Sequence, residues 1–212
     1  AGMAAGAVWA GIAGAMRLLL KVNEAVTTLL LNYVALDVLL FLIYQPWRAD
    51  PTGQPATEEL PTAAKLPLIS GTTVNVGIVI AVIAVLVIWI ALSFTNWGFS
   101  LSVVGGNAEA ARRAGLPVAK LLLSALLVGG ALAGLAGMIH FAGVEYKLRP
   151  GFGAQIGYTA FLASWLARHK PIPVLLACFV FAALTVAGDS LQLDAGLPAA
   201  TAAILTGLIL IA

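Results

Sequence analysis

Residues 73–94, TVNVGIVIAVIAVLVIWIALSF, form a continuous apolar run without one charged side chain. A helix of this length rises through the roughly 30 Å hydrocarbon core of a bilayer, and such runs seldom occur elsewhere. The rest of the chain agrees with that reading. Hydrophobic residues make up 61% and charged residues 9%, against about a quarter charged in a soluble domain. In lipid each backbone N–H and C=O must be satisfied within the chain, and helices do this segment by segment. The expected fold class is therefore all-α, a polytopic integral membrane helical bundle.

Further apolar runs occupy residues 25–44 and 119–141, with shorter ones at 155–167, 172–188 and 196–212. Residues 1–15 are rich in Gly and Ala and read as too short for a full span alone. The total is about six to seven membrane segments, some short or broken. The run 155–167 is too short to cross straight, which predicts a half-span or a tilted helix buried in protein. The chain opens inside an apolar helix pattern with no basic leader, so no signal peptide is read. It closes on AAILTGLILIA without a polar tail. These ends read as those of a fragment, with residues 1–212 forming one transmembrane domain.

Charge orients the segments. If residues 1–15 end inside, then Arg17, Lys21, Arg112, Arg113, Lys120, Arg168 and Lys170 lie in inside connections. Arg48, Lys65, Lys147 and Arg149 fall in outside loops that also carry Asp50, Glu58, Glu59 and Glu145. The positive-inside bias favours this arrangement over its inverse. It makes residues 45–71, with their five prolines, an extracytoplasmic loop, and residues 95–118 a cytoplasmic one.

The cytoplasmic loop holds GGNAEAARRAGLPVAK at 105–120. Asn107 is a natural N-cap, and Glu109 then sits in the first turn, where a carboxylate is favoured. Gly115 suits the position just past the helix end, and Pro117 cannot continue the helix from its interior. The prediction is a two-turn helix over 108–114, smooth at Ala110, Ala111 and Ala114 and charged at Arg112 and Arg113. Such a helix is shaped to lie in a groove of a soluble partner; a plain interfacial linker is the alternative.

Within 25–44, Glu24, Thr28, Asn32 and Ala35 fall within about 80° of one another on a helix, with Thr27 about 60° to one side. Asn32 and Thr28 either line a translocation path or hydrogen-bond to neighbouring helices as bundle glue. Glu24, near the inside end, is assigned to helix N-terminal electrostatics. Asp37 lies about 140° from Asn32 on the helix wheel. It must pair with a neighbouring helix, face another cavity, be protonated or lie nearer an interface, since a carboxylate facing lipid is costly. Gly130 and Gly134 form a small-xxx-small pair for helix packing, and Gly2 and Gly6 repeat it. Trp47 and Trp97 flank spans, as interfacial aromatics do. His140 reads as a satisfied interfacial residue and His169 as a solvated one. With only Cys178 besides, no metal-site spacing arises. No phosphate-binding G-x-x-x-x-G-K-[ST] run, H-E-x-x-H or G-x-S-x-G occurs, which argues against nucleotide binding and intramembrane hydrolysis by this chain.

The run EAARRAG at 109–115 resembles the E-A-A…G cytoplasmic coupling loop of ABC importer permeases. The longer WGFSLSVVGGNAEAARRAGL at 97–116 is similar to permeases of the branched-chain amino acid, ribose and simple-sugar superfamily. KVNEAVTTLLLNYVAL at 21–36 and the block LRPGFGAQIGYTAFLASWLARHKPIPVLLACFVFAALTVAGDSLQLDAGLP at 148–198 resemble its nucleoside-type branch. Together these cover nearly the whole chain in one order. SWLARHKP at 164–171 departs from the small, Gly-containing turn usual there, and Asp37 departs as an intramembrane acid. Relatives in the family are usually longer at the N-terminus, by about three spans.

The resemblance implies a permease subunit in a bacterial or archaeal inner or plasma membrane, carrying nucleosides or related sugars. Its implied partners are cytoplasmic ABC ATPase subunits, a second identical or homologous permease, an extracytoplasmic binding protein or lipoprotein, and membrane lipid; no nucleic acid is implied. Asn107, Glu109, Ala110, Ala111, Arg112, Arg113 and Gly115 would couple to the ATPase. ATP and Mg would reside on the partner, with no cofactor in this chain. Ribose, galactose or branched-chain amino acids are alternative cargoes. An ion-coupled secondary transporter is the alternative machine, for which the Glu-Ala-Ala-Arg-Arg loop has no evident use.

Overall fold

Five helices among the described residues are long and apolar enough to cross a membrane. The computed structural model describes residues 1–20, 22–50, 53–154 and 156–195, together with 204 and 207. In chain order, α1 is Gly2–Leu20, α2 Glu24–Tyr44, α3 Gly77–Phe94, α4 Asn96–Gly106, α5 Ala108–Arg113, α6 Val118–His140, α7 Ile156–Leu166 and α8 Pro171–Ala195. A π-helical turn, Phe141–Glu145, extends α6. The sole bridge of β type among the described residues is the isolated pair Leu68 and Asn75. The chain is a multi-pass helical membrane protein. Many of its large apolar side chains face outward, with Leu19 80% and Phe179 73% exposed, the reverse of a water-soluble core.

Three boundaries differ from the sequence expectation. The first segment is not confined to 1–15: α1 runs to Leu20 and passes through Arg17, which sits in its last turn. Met, Arg and Leu are good helix formers, a cation suits a helix C-terminus, and a long Arg stem can carry its charge to the interface. The 95–118 connection is mostly helical, because Thr95 caps α4 by accepting the Gly98 N–H. The run expected at 172–188 is longer than expected: α8 continues through Ala195, since no Gly or Pro interrupts residues 189–195. The last expected segment, 196–212, lies outside the described residues apart from 204 and 207.

The chain divides into two compact units. The first comprises Ala1–Ala84 with Ile90–Phe152, and its principal contact is α1 against α6. Gly2 and Gly6 on α1 meet Gly130 and Gly134 on α6. A Cβ placed on Gly6 would overlap the Gly130 carbonyl oxygen, and one on Gly134 would overlap that of Gly2. Backbone therefore lies on backbone, and the attraction comes from close van der Waals packing, since lipid offers little hydrophobic drive between helices. Ala13, nearly fully buried, lies further along α1.

The second unit comprises Val85–Trp89 with Gly153–Ala212. In it α7 and α8 pack through Ala163, Ala167, Ala177 and Phe181, all buried. The turn between them places Arg168 (φ 52°) and His169 (φ 57°) in the left-handed region, the conformation that the expected glycine supplies more easily. His169 is not merely solvated. Its Nδ1 lies 3.0 Å from Ser164 Oγ, its backbone N–H donates to the Ser164 carbonyl, and its ring meets Trp165 edge-on. These contacts hold the strained turn in place.

Candidate functional site

The 105–120 stretch folds around its two ends. Asn107 is extended (φ −156°, ψ 102°), and its Oδ1 accepts the N–H groups of Glu109 and Ala110, each at 3.0 Å. At the other end Gly115 takes φ +84°. The Leu116 N–H then reaches back to the Ala111 carbonyl, and the Gly115 N–H to that of Arg112. This paired closure satisfies carbonyls that the helix end would otherwise leave open. Glu109 accepts from Arg112 Nη1 and Arg113 Nε, both at 3.2 Å, and all three side chains are exposed. The arginines are thus tied to the first turn rather than standing as isolated charges.

Only Ala111 of α5 is buried. The expected smooth face of Ala110, Ala111 and Ala114 is therefore split. Ala111 turns inward onto Val104, Val118 and Leu121, while Ala110 and Ala114 remain exposed. The reason is the small core shared by α4, α5 and the start of α6, in which the Ala111 methyl group is fully enclosed. Replacing Asn107 by Ala is expected to cost about 0.5–2 kcal/mol locally. Amide exchange at Glu109 and Ala110 should accelerate roughly 2- to 30-fold if that cost appears in local opening. Unchanged exchange would remove Asn107 as the organising cap.

The polar residues of α2 do not converge. Thr28 donates from Oγ1 to the Ala25 carbonyl at 3.1 Å and is exposed, and Asn32 and Asp37 are exposed as well. The buried polar side chain is Thr27, 4% exposed, whose Oγ1 donates to the Asn23 carbonyl. Asn23 itself caps α2 by accepting the Ala25 N–H. An Asn directly before Glu24 and an apolar run is a readable cap signal.

A second organised region lies at the C-terminal end of α6, where the 45–76 and 141–154 connections meet. Asn75 Nδ2 donates to the Gly143 carbonyl at 2.9 Å, while its Oδ1 accepts the Gly77 N–H at 2.8 Å. One side chain thus opens α3 and binds the π-helical turn. Gly143 has to lack a Cβ, which would lie 2.7 Å from Asn75 Nδ2. Backbone bonds continue the seam: Leu66 to Ala142, Leu60 to Tyr146 and Thr57 to Leu148, the first-named residue donating each time. Tyr146 adopts φ 58° at the end of the π-turn, and Lys65 lies over its ring, 4.7 Å from the centroid. Lys65 also pairs with Glu59. That hydrogen bond and charge, with Lys147 adding to it, hold the Glu59 carboxyl below its ordinary range. An open cavity of about 570 Å³ beside the seam is lined in part by Asp50, Glu58, Glu59, Lys147 and Arg149. His140 Nε2 stands 3.9 Å from Glu145 Oε1, and its ring packs on Phe152.

Sequence reasoning missed Asn75, whose only local signal is a polar residue two positions before the glycine that opens the strongest apolar run. Asn75→Ala leaves a donor and an acceptor without their partner and is expected to cost about 1–3 kcal/mol, read as lowered thermal stability of the purified protein. Asn75→Asp should cost at least as much, because it keeps the acceptor for Gly77 and sets a carboxylate oxygen against the Gly143 carbonyl. Wild-type stability in both variants would show the seam to be unimportant.

The family model described as "Branched-chain amino acid transport system / permease component" matches residues 1–212. The glucose ABC transporter permease protein TsgB13 of Haloferax volcanii is 34% identical over 98% of this chain and 57% of its own length. The nucleoside ABC transporter permease protein NupB of Lactococcus lactis subsp. cremoris is 28% identical over 99% of this chain and 60% of its own. The guanosine ABC transporter permease protein NupP of Bacillus subtilis is 27% identical over 98% of this chain and 61% of its own. The chain thus spans about three-fifths of the length of these curated relatives. No solved structure gives a significant match.

Proposed function

Since the chain belongs to the branched-chain amino acid transport system permease family, we propose that it is the membrane-spanning part of an ABC importer that moves nucleosides or related simple sugars into the cell. The observation that carries this reading is α5. It is a short capped helix with two exposed arginines, mounted on its own chain by a single alanine and free on its remaining surface. A six-residue helix has no stability of its own, so its regular geometry is bought by caps and mount, and it presents a defined surface to a partner.

In this reading the 95–118 connection faces the cytoplasm and α5 seats in a groove of an ATPase subunit. ATP and Mg are held and turned over by that partner, and this chain is a non-catalytic permease. A second permease, identical or homologous, faces the other side of the path. An extracytoplasmic binding protein or lipoprotein delivers cargo to the opposite membrane face, where the Asn75 seam lies. Thr28, Asn32 and Asp37 are exposed on α2 among the described residues. Polar groups in such places belong against protein or a watery path rather than lipid, which supports assigning them to the translocation route. Relatives named for nucleoside, guanosine and glucose transport support a cargo rich in sugar hydroxyls.

The test is reconstitution of the full-length permease in proteoliposomes with the ATPase and binding protein encoded beside it. Guanosine, adenosine, uridine, ribose and glucose are offered in turn. Stimulation of ATP hydrolysis with uptake of a nucleoside supports the whole reading. Stimulation by a hexose or ribose alone keeps the importer and changes the cargo. Uptake driven by an ion gradient, with no ATPase coupling, overturns it in favour of a secondary transporter.

A further inference from the structure

The connection that leads into α5 is built as a mount. Residues 95–98 turn sharply out of α3: Thr95 caps α4, and Gly98 sits so close to the last turn of α3 that a Cβ would overlap the Leu92 carbonyl oxygen. From there α4 runs to Asn107 and hands the chain to α5. The inner surfaces of α4, α5 and the first turns of α6 share one core, Val104, Ala111, Val118 and Leu121, with Trp97 and Leu101 packed against it. Apolar contacts of this kind resist separation but permit sliding, because they carry no preferred direction.

A directional contact joins α4 to α6. Trp97 Nε1–H donates to Ser124 Oγ at 2.8 Å, and Ser124 Oγ–H donates to the Leu121 carbonyl at 2.8 Å. The Ser124 hydroxyl therefore has its proton committed within α6 and its lone pair aimed at the indole. Trp97 and Ser124 are both partly buried, so water competes weakly for the bond. An interfacial Trp would ordinarily direct its N–H to the headgroup region. Here it is turned inward and fixes the rotation and height of α4 against the second turn of α6.

We propose that Trp97 and Ser124 are positioning residues for energy coupling: their hydrogen bond keeps α4 and α6 in register, so that a displacement of α5 by an ATPase moves α6 rather than sliding α4 across it. The inference rests on the importer reading above and deepens it. A push on α5 enters the chain through Ala111 and through Asn107 at the end of α4. Without the Trp97 bond, the part of the push carried by α4 is absorbed as slip, and only the apolar contact of Ala111 with Val118 and Leu121 remains to move α6. With it, the push reaches the helix that carries Gly130, Gly134 and the π-turn.

The experiment uses the complete transporter in proteoliposomes and reads ATP hydrolysed per substrate taken up. Trp97→Phe keeps an aromatic ring and removes the donor; Ser124→Ala removes the acceptor; Ser124→Thr restores a hydroxyl at the same place. The first two are expected to assemble normally and hydrolyse ATP at near wild-type rates. Uptake should fall about five-fold or more, the weight of one lost hydrogen bond, so that the ratio rises by the same factor. Ser124→Thr is expected to return the ratio toward wild type. An unchanged ratio in both Trp97→Phe and Ser124→Ala overturns the proposal. So does a proportional loss of hydrolysis and uptake, which marks a structural role only. A wild-type complex without ATP-driven uptake overturns the importer reading itself, and the inference falls with it.

Discussion

Exchanging Arg112 and Arg113 together for Glu is expected to abolish ATP-driven uptake, by about 100-fold or more, while the protein still inserts in the membrane. Both guanidinium groups are exposed, at 69% and 81%, and each bonds Glu109 across the helix surface. Exposed pairs of this kind contribute about 1 kcal/mol or less to folding. Reversing the charges leaves Glu109 beside two further carboxylates and sets negative charge at the helix C-terminus, where the macrodipole disfavours it. In the proposed seating, a surface that receives two cations then meets anions, and like-charge contact costs several kcal/mol, with tenfold for every 1.4 kcal/mol or so. The measurement is uptake in proteoliposomes beside a pull-down of the ATPase subunit. The Arg112→Lys, Arg113→Lys protein should retain part of the activity, since charge is kept and the planar fork lost. Uptake at the wild-type rate in the double Glu variant would end the coupling role of α5.

The second large effect is structural. Gly134→Leu is expected to separate α1 from α6, because even the first carbon of a side chain there overlaps the Gly2 carbonyl oxygen. The obstacle is backbone, so a rotamer change offers no relief. A cost of at least about 3 kcal/mol follows, equivalent to roughly 6–12 °C in melting temperature for a chain of this length. Monodisperse protein recovered after detergent extraction should fall accordingly. Gly129→Ala is the matched control, since nothing lies within 4 Å of a Cβ there, and it should be neutral or slightly stabilising. Equal losses in both variants would mean that the close approach of α1 and α6 does not hold the unit together.

These effects differ in how far the sequence discloses them. The extents of α2 and α3 follow from apolar runs of span length. The shape of α5 follows from Asn107, Glu109 and Gly115, whose cap and turn chemistry acts within a few residues. The small-xxx-small spacing marks Gly2, Gly6, Gly130 and Gly134 as packing residues, although only the fold pairs the two sets. Features that join distant positions leave no such trace. Asn75 and Gly143 are 68 residues apart and Trp97 and Ser124 are 27 apart, and neither pair alters the periodicity of its own helix. Polarity misled in two places. Residues 95–107 and 189–195 look like connections by composition, yet the Thr95 cap in the first and the absence of Gly and Pro in the second leave them helical over 96–106 and 189–195. The polar stripe of α2 was legible as a stripe, but its burial was not: Thr27, beside the stripe, is the residue that the fold encloses.

The seam at the end of α6 also orders events during synthesis. Gly143 follows Asn75 by 68 residues, and Leu148 follows Thr57 by 91. At roughly 5–20 residues per second, the ribosome needs about 3–14 s after Asn75 to deliver its partner, and longer to complete the Thr57 pairing. For that interval Asn75, Leu66, Leu60 and Thr57 lack the partners that they have at 142–148. The seam therefore closes only after α6 has been made: the local bonds of 45–76, such as Arg48 to Gly53 and Ile69 to Val74, come first, and the bonds to 142–148 come last.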